Sequence, residues 1–286
     1  MGKCSITTPS ELFVYECWGP RAPQREPCFD GHLGLWPEPP FYYLFADRQV
    51  LSQVGEWVLT QPGWSLRDTY RLDYEAWQQG GLEPCTVGSF HIVKEGGAAL
   101  PGDAGTVIHL QPGLVFGSGL HPTTQACLQL IDDCRGEFRA AKVIDLGTGS
   151  GVLTIACARL GASLVVAVDC NPMAIRETRV NIRLNAVEPV AQPVMALGLK
   201  AFSGGADWLI MNLEYPVLCQ VLREEEWSGY PAVLLSGFMS SQWDQVQRLI
   251  PHSSRLERWL EWRGWCAVVL RNGTGQPREN AKIIPG

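Results

Sequence analysis

Three glycines stand at alternate positions in the stretch "VIDLGTGSG", directly after a run of apolar residues that contains one acidic residue. The glycines are Gly147, Gly149 and Gly151, and the acidic residue is Asp145. A strand that turns sharply into a helix needs glycines, because they adopt unusual backbone angles and let a ligand approach the backbone closely. The stretch therefore predicts a ligand-binding loop at the carboxyl end of a strand.

Two kinds of cofactor compete for such a loop. A dinucleotide site has the spacing G-x-G-x-x-G and holds the pyrophosphate at the start of a helix. Here the spacing is G-x-G-x-G, and Asp145 lies two positions before the first glycine. An acidic group beside the loop repels a pyrophosphate. It suits S-adenosylmethionine, which has no phosphate and carries a positive amine and a sulfonium, so the pattern favours S-adenosylmethionine over NAD.

Two further polar residues follow predicted strands and complete the set. Asp169 ends "VVAVD", about 20 positions after the loop, where an acidic group accepts hydrogen bonds from ribose hydroxyls; it could also cap the next helix. Asn212 ends "LIMN", and its carbonyl oxygen could orient a substrate amine toward a methyl group, or it could only end the strand in a turn. Glu214 could hold a cationic amine or simply be solvated. Asn212 is the predicted catalytic residue.

The composition excludes several classes of protein. The net charge of −6 argues against non-specific nucleic-acid binding, which needs a basic surface. No run of apolar residues reaches the roughly 18 to 20 that a membrane span needs, and the first residues lack a signal-peptide pattern. The ten cysteines form no C-x-x-C pair, so neither a metal site nor disulfides are expected. We expect a cytoplasmic protein, and the sequence leaves its oligomeric state open.

From about residue 124 onward, apolar strand-like stretches alternate with stretches of helical spacing. This alternation predicts an α/β fold with a doubly wound, mostly parallel, seven-stranded sheet. The stretch "LERWLEWRGWCAVVLR" predicts two strands around a tight turn, which would form an antiparallel pair at one edge of that sheet.

The first part of the chain differs in texture, because it is rich in Trp, Tyr, Phe and Pro. We predict a small α+β lobe with strands "ELFVYECW", "PFYYLFA" and "SLRDTYRLDY", one helix "RQVLSQVGEWVL", and proline loops "PRAPQREP" and "WPEPP". The predicted division is an N-terminal lobe over residues 1–83, a connecting arm of short strands over 84–113, the cofactor-binding domain over 114–272, and a disordered tail over 273–286.

Taken in order, these landmarks resemble one family, the ribosomal protein L11 methyltransferases. The resemblance rests on "QPGLVFGSGLHPTT", "DLGTGSGVLTIACARLGA", "AVDCNPMA" and "MNL", and it covers roughly residues 72 to 271. The segment "FGSGLHPTT" is the specific part, because glycine loops are common to all such methyltransferases. The resemblance implies a bacterial, cytoplasmic enzyme that uses S-adenosylmethionine to methylate amines of a large-subunit ribosomal protein.

The resemblance also implies roles for single residues. The positions that match the family's cofactor contacts are Thr124, Gly147, Asp169 and Asn212. Phe116, Gly117 and Gly119 fit a segment that closes over the cofactor from the side opposite the glycine loop. His121 matches a motif position, but the interpretation that it only fixes the turn is favoured, and no dedicated base is evident. The full predicted cofactor set is Phe116, Thr124, Asp145, Gly147, Gly149, Asp169 and Asn212.

Departures from the family pattern keep the substrate open. The lobe before the linker is shortened or rebuilt, since only one convincing helix precedes it, and "NLEY" replaces the family's "NILA". We therefore expect S-adenosylmethionine-dependent methylation of lysine or α-amino groups, with ribosomal protein L11 as the favoured substrate. The alternatives are another protein, a small amine, or a methyltransferase fold that binds without catalysing.

Overall fold

The structure is a computed structural model that describes most of the chain. The described residues are 11–73, 84–95, 105–111, 113, 121–202, 205–273 and 282–284. The chain forms two compact units, Met1–Gly81 with Asn171–Met173 and Leu82–Cys170 with Ala174–Gly286. The predicted four-part division at residues 83, 113 and 272 stays a prediction.

The first unit is a four-stranded antiparallel sheet with one helix. Its elements are β1 (Glu11–Trp18), β2 (His32–Glu38), β3 (Phe41–Ala46), α1 (Leu51–Leu59) and β4 (Ser65–Asp73), and the strand order is β2-β3-β1-β4. Val54 and Val58 of α1 are buried in the same apolar cluster as Tyr15 and Leu44 of the sheet. The Tyr15 hydroxyl accepts a hydrogen bond of 2.7 Å from the backbone N–H of Val50, so the sheet also fixes the start of the helix.

Strand β2 is the element of the first unit that the sequence pattern missed. The stretch "WPEPP" predicted a loop, but Trp36 to Glu38 belong to β2, and only Pro39 and Pro40 lie in the turn that follows. Proline cannot donate to a sheet ladder, so it is confined to edge strands or strand ends. Strand β2 is an edge strand, which accommodates Pro37.

The second unit begins with three short strands. They are β5 (Cys85–Val87), β6 (Phe90–Lys94) and β7 (Thr106–Leu110); β5 and β6 pair antiparallel around Gly88, and β6 and β7 pair parallel. This arm was predicted as short strands between glycine turns. Phe90 and Ile108 are fully buried in the main apolar cluster of the unit, so the arm is part of its core.

The remaining strands of the second unit form one large sheet. They are β8 (Lys142–Leu146), β9 (Leu164–Asp169), β10 (Ala191–Met195), β11 (Trp208–Asn212), β12 (Ala232–Met239), β13 (Arg255–Trp262), β14 (Trp265–Arg271) and β15 (Lys282–Ile284). The order is β10-β9-β8-β11-β12-β14-β13-β15, and the five strands β8 to β12 run parallel.

The predicted doubly wound, mostly parallel sheet is confirmed, and so is the antiparallel pair β13 and β14. The turn between these two strands is Arg263–Gly264, with φ of 52° and 80°. The structure differs from the prediction at the end of the chain. Lys282–Ile284, within the tail predicted to be disordered, pairs parallel with β13 as an eighth strand.

Helices cover both faces of this sheet. They are α2 (Pro122–Asp133), α3 (Arg135–Phe138), α4 (Val152–Arg159), α5 (Pro172–Leu184), α6 (Tyr215–Glu224) and α7 (Trp243–Gln247), with short 3₁₀ turns at Leu199–Ala201, Trp227–Gly229 and Ser240–Gln242. Successive strand residues alternate between two apolar clusters: Val143 and Ile210 face one, and Ile144 and Met211 face the other. Burial on both faces is typical of parallel sheets. Among the described helices, none is long and apolar enough to cross a membrane.

Candidate functional site

The site lies where the strand order of the large sheet reverses. From β8 the chain adds β9 and β10 on one side, and it then crosses to add β11 and β12 on the other. In such sheets, ligands bind in the crevice outside the carboxyl ends of the strands at this point. Leu146 of β8 pairs with Val168 of β9 and with Met211 of β11. The glycine loop, Asp169 and Asn212 therefore follow neighbouring strand ends at one edge of the sheet.

The glycine loop exposes backbone and buries its side chains. Gly147, Gly149 and Gly151 have φ of 75°, 56° and 85°. Gly147 and Gly149 are half-buried, whereas Thr148 and Ser150, which alternate with the three glycines, are buried. The φ of 75° at Gly147 is one that residues with a Cβ rarely adopt, and a Cβ there would also force the Leu213 side chain to move, so glycine is strongly favoured. The loop thus presents backbone, without side chains, to anything bound in the crevice.

Backbone bonds hold the glycine loop against β9. The N–H groups of Gly147 and Thr148 both donate to the carbonyl of Val168, at 2.8 and 3.0 Å. On the other side, the Thr178 hydroxyl of α5 donates to the carbonyl of Gly149 at 2.7 Å. The loop is fixed from two directions before any ligand binds.

Asp145 lies beneath the glycine loop and is only 1% exposed. The hydroxyls of Thr148 and Thr154 donate to one of its carboxylate oxygens, at 2.8 and 2.7 Å. Burial raises the pKa of Asp145 from its ordinary value of 3.8 to about 6; the two hydroxyl bonds act against that rise, and the Asp169 charge adds to it. The structure therefore gives Asp145 the role of ordering the loop, and direct contact with a cofactor stays a prediction.

Asp169 ends β9 and is half-buried beside the glycine loop. Its carboxylate accepts a hydrogen bond of 3.1 Å from the Gly149 N–H. Asn171 lies directly before α5 and caps it, because its side-chain oxygen accepts from the Met173 N–H at 2.9 Å. The ribose contact and the helix-cap interpretation of Asp169 both stay predictions.

Thr124 and Asn212 are brought together from positions 88 residues apart in sequence. The Asn212 side-chain N–H₂ lies 3.5 Å from the Thr124 hydroxyl and donates to it. Thr124 is 1% exposed, whereas Asn212 is half-buried at the end of β11. Two residues that the sequence placed in one cofactor site are therefore adjacent in the structure.

Gly237 shapes the same region, and the sequence analysis missed it. It forms a bulge in β12, at φ 96°, where the pairing with β14 shifts between Ser236 and Phe238. A Cβ there would collide with the carbonyl oxygen of Leu213, so the backbone after Asn212 passes directly over this glycine. The signal in the sequence is a glycine inside an apolar strand, which often marks a bulge or a close approach of backbone.

His121 caps helix α2. Its Nδ1 atom accepts a hydrogen bond of 3.3 Å from the Thr123 N–H and lies 2.8 Å from the Thr123 hydroxyl. Its ring packs edge-on against Trp265, with 4.9 Å between centroids, and burial lowers its pKa. The favoured interpretation, in which His121 fixes the turn, agrees with this geometry.

The other predicted residues are less informative. Glu214 is exposed at the residue before α6 and makes no capping hydrogen bond with its side chain. Phe116, Gly117 and Gly119 lie outside the described residues, and so does the covering role predicted for them. Within the part of the chain that the structure describes, no group of three or more His, Cys, Asp or Glu could hold a metal ion, and nine cysteines are free thiols.

Comparisons with known proteins agree on one family. The model of the family described as "Ribosomal protein L11 methyltransferase (PrmA)" matches residues 48–273. A ribosomal protein L11 methyltransferase of Halalkalibacterium halodurans is 32% identical over 58% of this chain and 54% of its own length. One of Heliobacterium modesticaldum is 30% identical over 73% of this chain and 66% of its own length.

A solved structure extends this likeness to the fold. The crystal structure of a ribosomal protein L11 methylase from Lactobacillus delbrueckii subsp. bulgaricus is 26% identical, with a TM-score of 0.58. It covers 65% of this chain and 96% of that chain. The chain thus spans between about half and two thirds of the length of the two sequence relatives above.

Proposed function

Because the chain belongs to the ribosomal protein L11 methyltransferase family, we propose that it transfers methyl groups from S-adenosylmethionine to amino groups of a protein. The favoured acceptors are lysine or α-amino groups of ribosomal protein L11. One observation of the structure carries the proposal: the glycine loop, Asp169 and Asn212 follow neighbouring strand ends at one edge of the sheet, where Asp169 bonds to the loop and Asn212 bonds to Thr124. We propose that the protein acts in the cytoplasm, on a protein and not directly on nucleic acid or membrane.

The chemistry of the crevice fits S-adenosylmethionine better than a dinucleotide. The residues brought together offer a carboxylate, an amide and a hydroxyl, in addition to exposed glycine backbone. Asp169 can accept hydrogen bonds from ribose hydroxyls. With a pKa of about 6, Asp145 is mostly ionised at neutral pH directly below the loop, which disfavours a pyrophosphate and suits a cofactor with positive charges.

In the proposed reaction, Asn212 positions the amine. When bound, S-adenosylmethionine would supply a methyl group on a sulfonium. The neutral amine would form the N–C bond as the S–C bond breaks, which leaves a neutral thioether and a methylated ammonium that then loses a proton. The Asn212 N–H₂ is directed at Thr124. This leaves its side-chain oxygen to accept from an amine N–H and to orient the lone pair, and positioning of this kind supplies much of the rate. His121 uses its Nδ1 atom as a helix cap, so we assign the released proton to water and not to a protein base.

A second candidate keeps the chemistry but changes the acceptor. The family match starts at residue 48, so strands β1, β2 and β3 of the first unit precede it. Close to the crevice, "NLEY" also departs from the family pattern. These two observations are the reason for keeping another protein, or a small amine, as the alternative acceptor to ribosomal protein L11.

Label transfer tests the proposal and separates the candidates. Purified ribosomal protein L11 and a mixture of cell proteins would each be incubated with the protein and methyl-labelled S-adenosylmethionine. Incorporation into ribosomal protein L11 that Asp169→Ala abolishes, and that the exposed control Asp244→Ala keeps, supports the first candidate. Incorporation only into other proteins or amines supports the second. Cofactor binding without transfer to any acceptor leaves a binding module, and no binding contradicts the whole proposal.

A further inference from the structure

Helix α5 has a buried polar face behind the glycine loop. Thr178, Asn181 and Asn185 are spaced by three and four residues, so they lie on one side of the helix, and they are 0%, 0% and 1% exposed. Buried amides are costly unless they are hydrogen-bonded. None of the three was singled out from the sequence, because a polar residue within a helical pattern does not by itself predict a buried contact.

Asn181 joins two segments that are distant in sequence. Its N–H₂ donates to the carbonyl of Ser150 in the glycine loop at 2.8 Å. Its side-chain oxygen accepts from the N–H of Gln111, also at 2.8 Å. One buried side chain thus contacts the backbone of the loop and the backbone of the residue that follows β7.

Asn185 makes a similar pair of contacts one turn away, but to one segment only. Its side-chain oxygen accepts from the His109 N–H at 2.9 Å, and its N–H₂ donates to the His109 carbonyl at 2.6 Å. It also donates to the carbonyl of Asn181 within the helix, at 2.8 Å. Asn185 therefore holds β7 and does not reach the glycine loop.

The chain after β7 continues along the same helix. The backbone of His109 bonds to Asn185, and the backbone of Gln111 bonds to Asn181. Gly113 lies close to Glu177, because a Cβ on Gly113 would collide with the Glu177 carboxyl group. For every two residues that this segment advances from His109 to Gly113, the residue of α5 that it contacts is four positions earlier in the sequence. The residues that come next in sequence, 114–120, carry the glycine-rich part of the family motif.

We propose that Asn181 is a positioning residue for the cofactor site, and this inference rests on the proposed function. Its amide fixes the distance between the glycine loop and the chain that leads into residues 114–120. Asn181 is fully buried and its side chain bonds to the backbone of Ser150 and of Gln111, so we expect it to act through the two backbone segments that it joins. A side-chain amide supplies a donor and an acceptor together, whereas an ionised carboxylate of the same shape supplies acceptors only.

The test compares Asn181→Asp with Asn185→Asp. Each variant keeps the acceptor oxygen and loses the donor, and only the first loses a contact to the glycine loop. For Asn181→Asp we expect the Kd and KM for S-adenosylmethionine to rise by about 10-fold or more, as for loss of a buried hydrogen bond, while kcat changes by less than about threefold. For Asn185→Asp we expect both constants to stay within about threefold of wild type. Its melting temperature should nevertheless fall by about as much as that of Asn181→Asp, because each variant loses buried hydrogen bonds.

Hydrogen exchange without cofactor gives a second readout, which does not depend on the proposed function. In Asn181→Asp, exchange at the N–H groups of Gly149 to Gly151 should rise, because the loop loses its bond to residue 181, and in Asn185→Asp it should not rise at the loop. Gln111→Pro removes the N–H donor and leaves α5 intact, so it tests the same contact if Asn181→Asp does not fold. It should weaken cofactor binding as Asn181→Asp does.

The outcomes separate the two proposals. If wild type binds no S-adenosylmethionine, the proposed function fails, and the exchange measurement still decides whether Asn181 couples the two segments. If both asparagine variants weaken binding in proportion to their loss of stability, or if exchange at the loop is unchanged in Asn181→Asp, the positioning role is overturned.

Discussion

The two units differ in where their polar interactions lie. In the second unit, Asp145 and Thr124 are each 1% exposed, and their partners are residues of the candidate site. Among the described residues of the first unit, one ion pair lies in solvent: the side chains of Arg48 and Asp30 are 57% and 90% exposed. Exposed pairs contribute about 0–1 kcal/mol, whereas breaking a buried network is far more costly. The second unit therefore uses its polar groups to define a site, and the first is held mainly by its apolar core.

The same contrast appears in the likeness to known proteins. The family match covers every strand of the large sheet except β15, but it covers only α1 and β4 of the first unit's elements. Chemistry can be proposed from the second unit, because its residues form the crevice. That the first unit contributes to the choice of acceptor stays a prediction. Four substitutions probe this division.

The largest effect is expected from Asn212→Ala. If Asn212 orients the amine, kcat for methyl transfer should fall by about 100-fold, which is typical of lost positioning. The Kd for S-adenosylmethionine should change by less than about fivefold, because the loop and Asp169 are intact. Rapid-mixing single-turnover kinetics and calorimetry measure the two constants. Equal losses in kcat and in cofactor affinity would place Asn212 in binding and not in catalysis.

The next effect is expected from Gly147→Ala. The left-handed conformation costs a residue with a Cβ about 1–2 kcal/mol, and the Leu213 side chain must also move, so cofactor affinity should fall by about 10-fold or more. Gly55→Ala in α1 is the matched control in the first unit, because a Cβ there meets nothing within 4 Å. It should raise stability by about 1 kcal/mol without changing cofactor affinity. Calorimetric titration with S-adenosylmethionine measures the affinity of both variants. An unchanged affinity in Gly147→Ala would contradict the role of this glycine in cofactor binding.

A third effect concerns pH. The pKa of Asp145 is raised from 3.8 to about 6, so the folded state holds this proton more tightly than the unfolded state. Stability is thus lost as pH rises from about 4 to about 6, and the full cost, about 3 kcal/mol for a shift of this size, is present above that window. Asp145→Asn should therefore be more stable than wild type at pH 8 by about 1–3 kcal/mol, and the difference should vanish near pH 4.

Urea unfolding at pH 4, 6 and 8 measures this difference. Asp30→Asn in the first unit is the control, because its exposed carboxylate should change stability by no more than about 1 kcal/mol at any of these pH values. A constant gain for Asp145→Asn across the range would mean that the substitution acts by packing and not by titration.

Much of the second unit could be predicted from the sequence, because local rules and packing agree there. Apolar runs such as "KVIDL" specify buried parallel strands, and the glycines after them specify the sharp turn. The pairing of Thr124 with Asn212 could not be derived from spacing, since it depends on how α2 packs beside the end of β11. Helix α6 was also missed, although Leu218 and Leu222 lie buried at helical spacing and Pro216 stands in the first turn, where helices accept a proline.

The first unit was less predictable for a physical reason. Strand β2 contains Pro37 and is followed by two further prolines. These prolines indicated a loop in the sequence, although the stretch also contains apolar residues. Its place at the sheet edge, where a missing N–H is tolerated, is a tertiary property. In the second unit, the roles of Asn181 and Gly237 could not be predicted either, because both residues contact backbone atoms of segments that are distant in sequence.

The smallest effect is expected from Tyr15→Phe, and it tests the division most directly. The substitution removes the acceptor for the Val50 N–H and keeps the ring within the apolar core of the first unit. Stability should fall by about 1 kcal/mol, seen as a lower melting temperature, because one buried hydrogen bond is lost. The Kd for S-adenosylmethionine should not change if the site is defined by the second unit alone. A weaker Kd, in proportion to the lost stability, would show instead that the core of the first unit supports the crevice energetically, and the acceptor and cofactor functions could then no longer be assigned to separate units.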